Sequence, residues 1–354
     1  MHLSRLVPAL GLLVTAANVQ AVDLADGRLH VNGWLDFVAS AVKDKPIYDA
    51  DGVVVGYDRN VSDMSAAGEL GVTYDVIKDK AKMVLEARYQ DSADENGESS
   101  ALTVAQAYGT IQICPKSSLT VGYFDNWLGL EAVDPTGMNR INHSIVWTAM
   151  TGYTVTGAKY AMDLMKTDKS TATVTVALVE DVFGLGASTK GTNDLASAVI
   201  FYAENKDVGT FQASFTNEWD SAQKTNGETS DLLAFNAMGT ITAIKDMTLG
   251  ADAHYQYVNS DFAYVGLMGY VNAQLPTADV LFPMNVTGMV SYLDMDKKDT
   301  LSKVYTMEYA LALNTTPFKD FDTLGVNLEV NAIDTMKAPD KTKFGAAIEV
   351  LFKF

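Results

Sequence analysis

From Leu29 onward the chain repeats one theme: runs of about ten residues in which alternate positions are apolar, each closed by a turn rich in Asp, Lys, Asn, Gly or Pro. A period of two puts one set of side chains on each face of a strand, so every run predicts a strand with an apolar and a polar face. The sequence holds about sixteen such runs. In the last, Phe344, Ala346, Ile348, Val350, Phe352 and Phe354 share one face, and Lys343, Gly345, Ala347, Glu349 and Lys353 fall on the other. Leu324, Val326, Leu328 and Val330 alternate with Asn327, Glu329 and Asn331, and Ala251, Ala253, Tyr255 and Tyr257 with Asp252, His254 and Gln256. Runs at 101–113 and 195–205 alternate less cleanly and leave their register open.

Proline placement is a sharper test, because a proline inside a closed barrel removes a ladder hydrogen bond that hydrocarbon cannot replace. Pro46, Pro115, Pro135, Pro276, Pro283, Pro317 and Pro339 all fall between the runs. Connections alternate between short turns (77–81, 115–118, 165–170, 205–208, 245–247) and longer loops (43–62, 126–152, 181–194, 220–230), as in transmembrane barrels. A soluble β-sandwich would also alternate. Here, however, aromatic residues crowd toward the strand ends (Tyr74, Tyr89, Tyr123, Trp127, Trp147, Tyr153, Trp219, Tyr257, Phe352), the placement of interfacial girdles.

The N-terminus adds a compartment. His2 and Arg5 precede an apolar stretch from Leu6 to Ala17 and then Val19-Gln20-Ala21, which reads as a cleaved signal peptide over 1–21. After it no apolar run reaches the roughly 18 residues a membrane helix needs. The expected fold is therefore all-β: a transmembrane antiparallel up-and-down barrel of about sixteen strands over 22–354. The formal charge of −18, with only five arginines, argues against nucleic acid and anionic partners. The single cysteine, Cys114, cannot form an internal disulfide.

Two resemblances follow from particular residues. Phe344 to Phe354 resembles the signal that the outer-membrane assembly machinery reads on porins, with Phe344, Ile348, Val350, Phe352 and Phe354 as its apolar positions. Gln106-Ala107-Tyr108, Leu119 to Phe124, Gly129-Leu130-Glu131, Asn142-His143-Ser144 and Val155-Thr156-Gly157 follow one another in an order that resembles the beta-barrel porin-2 family. Where that family often carries a basic residue and an arginine, this chain has Tyr123 and His143. In layout the chain resembles sixteen-stranded porins, whose third external loop folds inward; that position corresponds to 126–152. The resemblance implies Glu131, Asp134 and Arg140 as constriction residues, opposed charges that would sort solutes across a narrow lumen.

Polar positions on the clearer runs predict the lumen face: Asp36, Glu69, Asp75, Glu86, Arg88, Glu218, Asp252, His254, Glu308, Glu329, Lys343, Glu349 and Lys353. Carboxylates outnumber bases, so a modest cation preference is expected. Asp49, Asp51 and Asp58 lack the full ligand series of a calcium loop, and Gly184-Leu185-Gly186 has no βαβ context for a nucleotide loop. Ser144 adjoins His143, but neighbours in sequence have no fixed catalytic geometry. No metal set, cofactor or catalytic group is expected. The functional expectation is passive diffusion of small hydrophilic solutes and ions through an outer-membrane pore. Its rivals are a loop-plugged structural or adhesive barrel and a barrel hydrolase. Expected partners are outer-membrane lipids, lipopolysaccharide and the barrel-assembly machinery, and the porin resemblance implies a homotrimer.

Overall fold

The computed structural model describes residues 22–354 apart from 25–26, 44–45, 49–53, 58–59, 93–98, 153, 181, 183–194, 224–228, 260–261, 277–281, 298–303, 318–322 and 337–341. The segment 1–21 that reads as a signal peptide, the aspartates of the first loop, the segment at Gly184, Tyr153 and Pro339 lie outside the described residues. Short β1 (Val22–Leu24) precedes β2 (Leu29–Lys43), the small hairpin β3 (Pro46–Tyr48) and β4 (Val54–Tyr57), then β5 (Asn60–Ile77), β6 (Ala81–Ser92), β7 (Ser99–Cys114) and β8 (Ser117–Asp125). After the loop come β9 (Thr154–Lys166), β10 (Ser170–Glu180), β11 (Leu195–Asn205), β12 (Gly209–Gln223), β13 (Thr229–Ile241) and β14 (Met247–Asn259). The chain ends with β15 (Phe262–Gln274), β16 (Met284–Lys297), β17 (Val304–Thr315), β18 (Leu324–Met336) and β19 (Thr342–Lys353).

Strands β2 and β5–β19 close into one antiparallel barrel of sixteen strands, the predicted number. Each pairs with its neighbour in sequence, β2 pairs with β5 past the small hairpin, and β19 returns to β2 from Phe344↔Lys43 to Lys353↔Trp34. Gly33 and Phe354 exchange backbone hydrogen bonds of 2.9 Å at the end of that seam. Closure leaves no edge to meet lipid unpaired.

The two faces differ as the alternation predicts. On β14, Asp252, His254 and Gln256 are buried, while Tyr255 and Tyr257 are exposed on the outside. Leu102, Ile111, Val121, Phe211, Val330 and Phe344 continue the apolar outer surface, which suits hydrocarbon. Short turns close with Asp79 and Asp246 in the left-handed region, where a short polar side chain is tolerated. Among the described prolines none interrupts a barrel strand; Pro46 opens the small β3 rather than lying between strands.

The noisy runs have physical reasons. Run 101–113 belongs to β7, where the register against β6 shifts between Glu86 and Ala87, so the alternation changes phase there. Run 195–205 is β11, whose inner face is itself apolar: Ala196, Ala198 and Ile200 pack into a buried cluster. The girdle reading needs correction at three residues. Tyr74, Tyr89, Trp219 and Tyr257 are exposed, but Trp147 is buried on a loop helix, Trp127 packs against the cluster beneath the same loop, and Phe352 is buried at the β19 seam. Sequence pattern alone does not separate an aromatic at a strand end from one on a loop that folds back.

Candidate pore constriction

Strand β8 has nine residues and stops at Asp125, and the loop 126–152 starts there. The Asn126 side chain turns the chain inward: its Oδ1 accepts from Trp127 N at 2.8 Å and its Nδ2 donates to Val182 O at 2.6 Å. Gly129, at φ +85°, lies against Trp147, and a Cβ there would approach its ring to 2.7 Å, so this close turn requires glycine. The loop's return arm carries α1 (Ile145–Met150), capped by Ser144 Oγ, which accepts from Trp147 N at 3.2 Å.

Cross-ties join the two arms. Glu131 Oε2 accepts from Ser144 N at 2.8 Å and from its Oγ at 2.5 Å, and His143 Nε2 lies 2.8 Å from Ala132 O. The His143 ring stacks on Trp147 with centroids 3.6 Å apart. Ser144 and His143 are thus each turned to other partners. Burial pushes Glu131 and Asp134 above the usual carboxylate range, in Asp134 against the opposing charge of Arg88. It holds His143 down at about 4. Burial also works to lower Arg140, but Glu308 and Glu329 outweigh it and the guanidinium is held above its ordinary value.

The loop then fastens to one wall. Arg140 Nη2 reaches Glu308 Oε1 at 2.6 Å and Glu329 Oε1 at 3.3 Å. The backbone amides of Ile141 and Asn142 donate to Glu329 Oε2 at 2.7 and 3.1 Å, and Ile145 N donates to Glu308 Oε2 at 2.9 Å. Leu130 N donates to Asp252 Oδ2 at 2.9 Å, and Gln212 Nε2 donates to Trp127 O at 2.6 Å. Val146 and Met150 of α1 pack on Met268, Met289, Leu293 and Ala310 of β15–β17. Gly266 leaves the space this needs, since a Cβ there would meet both loop side chains at 2.6 Å.

The loop tip reaches the other wall. Asp134 pairs with Arg88 of β6, which also binds Glu69 at 2.7 Å, and Thr136 O accepts from Lys353 Nζ at 2.9 Å. Strands β6 and β14 stand eight places apart in either direction around the ring, so one loop touches opposite sides of the interior. It therefore crosses the barrel's cross-section.

Every predicted lumen residue lies on the inner face, in register opposite the exposed apolar row. They divide by surroundings. Glu218, Asp252, His254, Glu308, Glu329 and Glu349 are buried, and most of the carboxylates among them accept bonds from the loop or neighbouring strands rather than facing open water. Asp36 is also buried, beside Glu349. Asp75, Glu86 and Arg88 line a less covered region on β5–β6, and Lys343 and Lys353 lie toward the two ends of β19. Of the predicted constriction residues only Asp134 spans to the opposite wall, while Glu131 and Arg140 are engaged in holding the loop. The outward Phe344 and Ile348 are exposed, Val350 is half-buried, and Phe352 and Phe354 lie at the seam with β2.

Sequence reasoning missed Lys82, Asp125 and Lys159, which share this less covered region with Glu86, Arg88, Tyr108 and Asp134. Lys82 was readable, being in phase with Glu86 and Arg88; Lys159 was obscured because Val155 makes the inner face of β9 partly apolar. A cavity of about 130 Å³ opens below, lined by Asp75, Lys82, Thr110 and Gln112. Another of about 190 Å³ lies under the loop tip, beside Thr136, Asn314, Asn327 and Lys353.

No protein-family model matches the chain, and no curated protein matches it in sequence. Solved structures do match its fold. An anion-selective porin from Comamonas acidovorans aligns at 10% identity and TM-score 0.64, covering 92% of this chain and 99% of its own. The outer membrane channel DcaP of Acinetobacter baumannii aligns at 13% identity and TM-score 0.61, with 95% and 100% covered. OprB of Pseudomonas putida aligns at 12% identity and TM-score 0.60, with 92% and 94% covered. At such identities the likeness is one of architecture, and over nearly its whole length the chain has the fold of these outer-membrane barrels.

Proposed function

We propose that the protein is an outer-membrane porin in which small hydrophilic solutes and ions diffuse past the loop 126–152 along the inner faces of β5–β9. The observation that carries this reading is the loop itself, which bridges opposite walls of a sixteen-strand barrel and leaves a cluster of charged, partly exposed side chains along β5–β9. A barrel of this strand number is wide enough for an aqueous channel unless filled, and a single inward loop narrows it. The barrels it resembles include one described as a channel and one as a porin. The motif order between residues 100 and 160 supports membership of the beta-barrel porin-2 family as part of the same proposal.

Glu69, Glu86, Asp125 and Asp134 outnumber Arg88, Lys82 and Lys159 in the narrow region, and excess fixed negative charge raises local cation concentration. A modest cation preference follows. It would set the protein apart from the Comamonas barrel, described as anion-selective. Insertion of the refolded chain into planar bilayers tests both parts: stepwise conductance with a cation-favouring reversal potential is expected. Insertion without current would instead make the barrel a plugged structural protein, and a chloride-favouring potential would remove the charge argument.

A further inference from the structure

The wall beneath the loop carries polar side chains that the protein does not satisfy. On β12–β14, Ser214 stands opposite Asn236, and Asn236 opposite His254; one step along, Thr216 and Gln256 flank Ala234. All five polar residues are buried, none more than 6% exposed. Among the described residues, Ser214 Oγ, Thr216 Oγ1, Asn236 Oδ1, both ring nitrogens of His254 and Gln256 Nε2 have no hydrogen-bond partner. The adjoining row is satisfied: Asp252 accepts from Leu130 N and from Asn236 Nδ2, and Gln212 donates to Trp127 O.

Among the described residues, the covering surface offers them no hydrogen-bond partner. Leu128 packs beside Ala234 and Leu232 on one side, and Val146 and Met150 stand over Gly266, directly opposite His254, on the other. An apolar lid thus lies over a polar floor. A buried donor or acceptor with no partner carries its full desolvation cost, and such groups in folded proteins are met by protein or by water. A buried imidazole also always bears at least one N–H, so His254 contributes both donor and acceptor capacity when neutral.

We propose that this floor is a hydration site: a short file of bound water lies between the loop and β12–β14 and bridges Ser214, Thr216, Asn236, His254 and Gln256. The floor mixes donors and acceptors and carries no charge pair of its own, which suits water better than an ion. A buried water makes about three hydrogen bonds, so the unpartnered atoms call for about two molecules. Direct packing of Leu128 on Ala234 and of Val146 and Met150 over Gly266 borders the site, and between those contacts the loop is joined to the wall through bound water. It stands whether or not the barrel conducts solute.

Thr216→Val and Gln256→Leu, made in the full chain refolded in detergent, test the site, because each removes a polar group with little change of shape. If water occupies the floor, each variant strips a bridge and leaves the neighbouring groups worse satisfied, lowering the thermal unfolding midpoint by about 1–3 °C. If the floor is dry, each relieves a penalty and the midpoint rises, which would overturn the proposal. Diffraction from the unmodified protein at a resolution that shows ordered water gives the decisive reading. Density within about 3.2 Å of His254 and Gln256 supports the site; a floor without density there ends it, whatever the midpoints do.

Discussion

The two sides of the barrel interior use the same residue types for opposite purposes. On β14–β18 the inner carboxylates are covered: Glu308 and Glu329 receive Arg140 and three loop amides, and Asp252 receives a fourth. On β5–β9 Glu86, Asp125, Lys82 and Lys159 remain partly exposed, and the loop approaches through Asp134. A charged residue at an inner position is therefore no guide to its role until its cover is known. Where the loop lies down the charge is an anchor; where the loop stands off the charge can act on passing ions.

The strongest way to break this contrast is at Arg140. Its side chain is 4% exposed and its partners 1%, so Arg140→Ala leaves two carboxylates buried without their cation. Removing one partner of such a group costs about 3–5 kcal/mol, far more than an exposed pair. Unfolding in detergent should show that loss, and single-channel conductance should rise as the loop loses its hold. Conductance and ion selectivity both unchanged would mean the loop is held by something else. Glu308→Gln in the Arg140→Ala background should recover part of the stability by removing one stranded charge.

His143 offers a smaller, pH-dependent effect on the same loop. Its ring is held neutral down to about 4, while in an unfolded chain it titrates near 6.5. Between those values the unfolded state binds the proton and the folded state does not, so stability rises with pH through that window and is lost as pH falls toward 4. The full span is at most about 3 kcal/mol, less for the ring's residual exposure. Glu131 and Asp134, raised by burial, act in the opposite sense, while Arg140 and Arg88 disfavour a second positive charge. His143→Gln keeps those groups and removes only the imidazole. The fall in unfolding midpoint from pH 7 to pH 5 should be shallower in the variant; parallel curves would show that His143 does not set it.

At the open side the expected change is in selectivity rather than stability. Asp134→Asn removes one carboxylate from the narrow region and should lower the cation-to-anion permeability ratio on the order of twofold. Arg88→Gln should raise it, though less cleanly, because Arg88 also holds the buried Glu69. Reversal potentials in a salt gradient measure both, and shifts of the same sign in the two variants would contradict an electrostatic role for this pair.

Much of this architecture was legible from alternation alone, and the failures have one source. Alternation puts Asp252, Glu308 and Glu329 opposite the exposed apolar row, where they are buried, because a period of two fixes the face of every residue once one is placed. It does not report what stands against that face. Ala196 and Ile200 blurred β11 because the loop gives its inner face an apolar neighbour, and Trp147 looked like a girdle residue because nothing local marks a loop that turns inward. Arg140 was chosen for its charge and position in the loop, yet its partners lie 168 and 189 residues away, beyond any local pattern. Lys82 shares the phase of Glu86 and Lys159 stands opposite the inward Thr120, so the same alternation places both lysines on the inner face; Asp125 falls in the other phase of β8, and alternation does not bring it to Glu86 and Asp134.

The smallest effect is the control for the largest. Lys169 and Asp207 pair at 2.5 Å between neighbouring short turns, a shorter contact than either of Arg140's, but their side chains are 71% and 61% exposed. In water the attraction is screened and two long side chains must be ordered to make it, so exposed pairs of good geometry often contribute nothing measurable. Lys169→Ala should leave the unfolding midpoint, conductance and selectivity where they are. A loss comparable to that of Arg140→Ala would mean that distance rather than cover decides what an ion pair is worth in this barrel, and the division between its two sides would lose its physical basis.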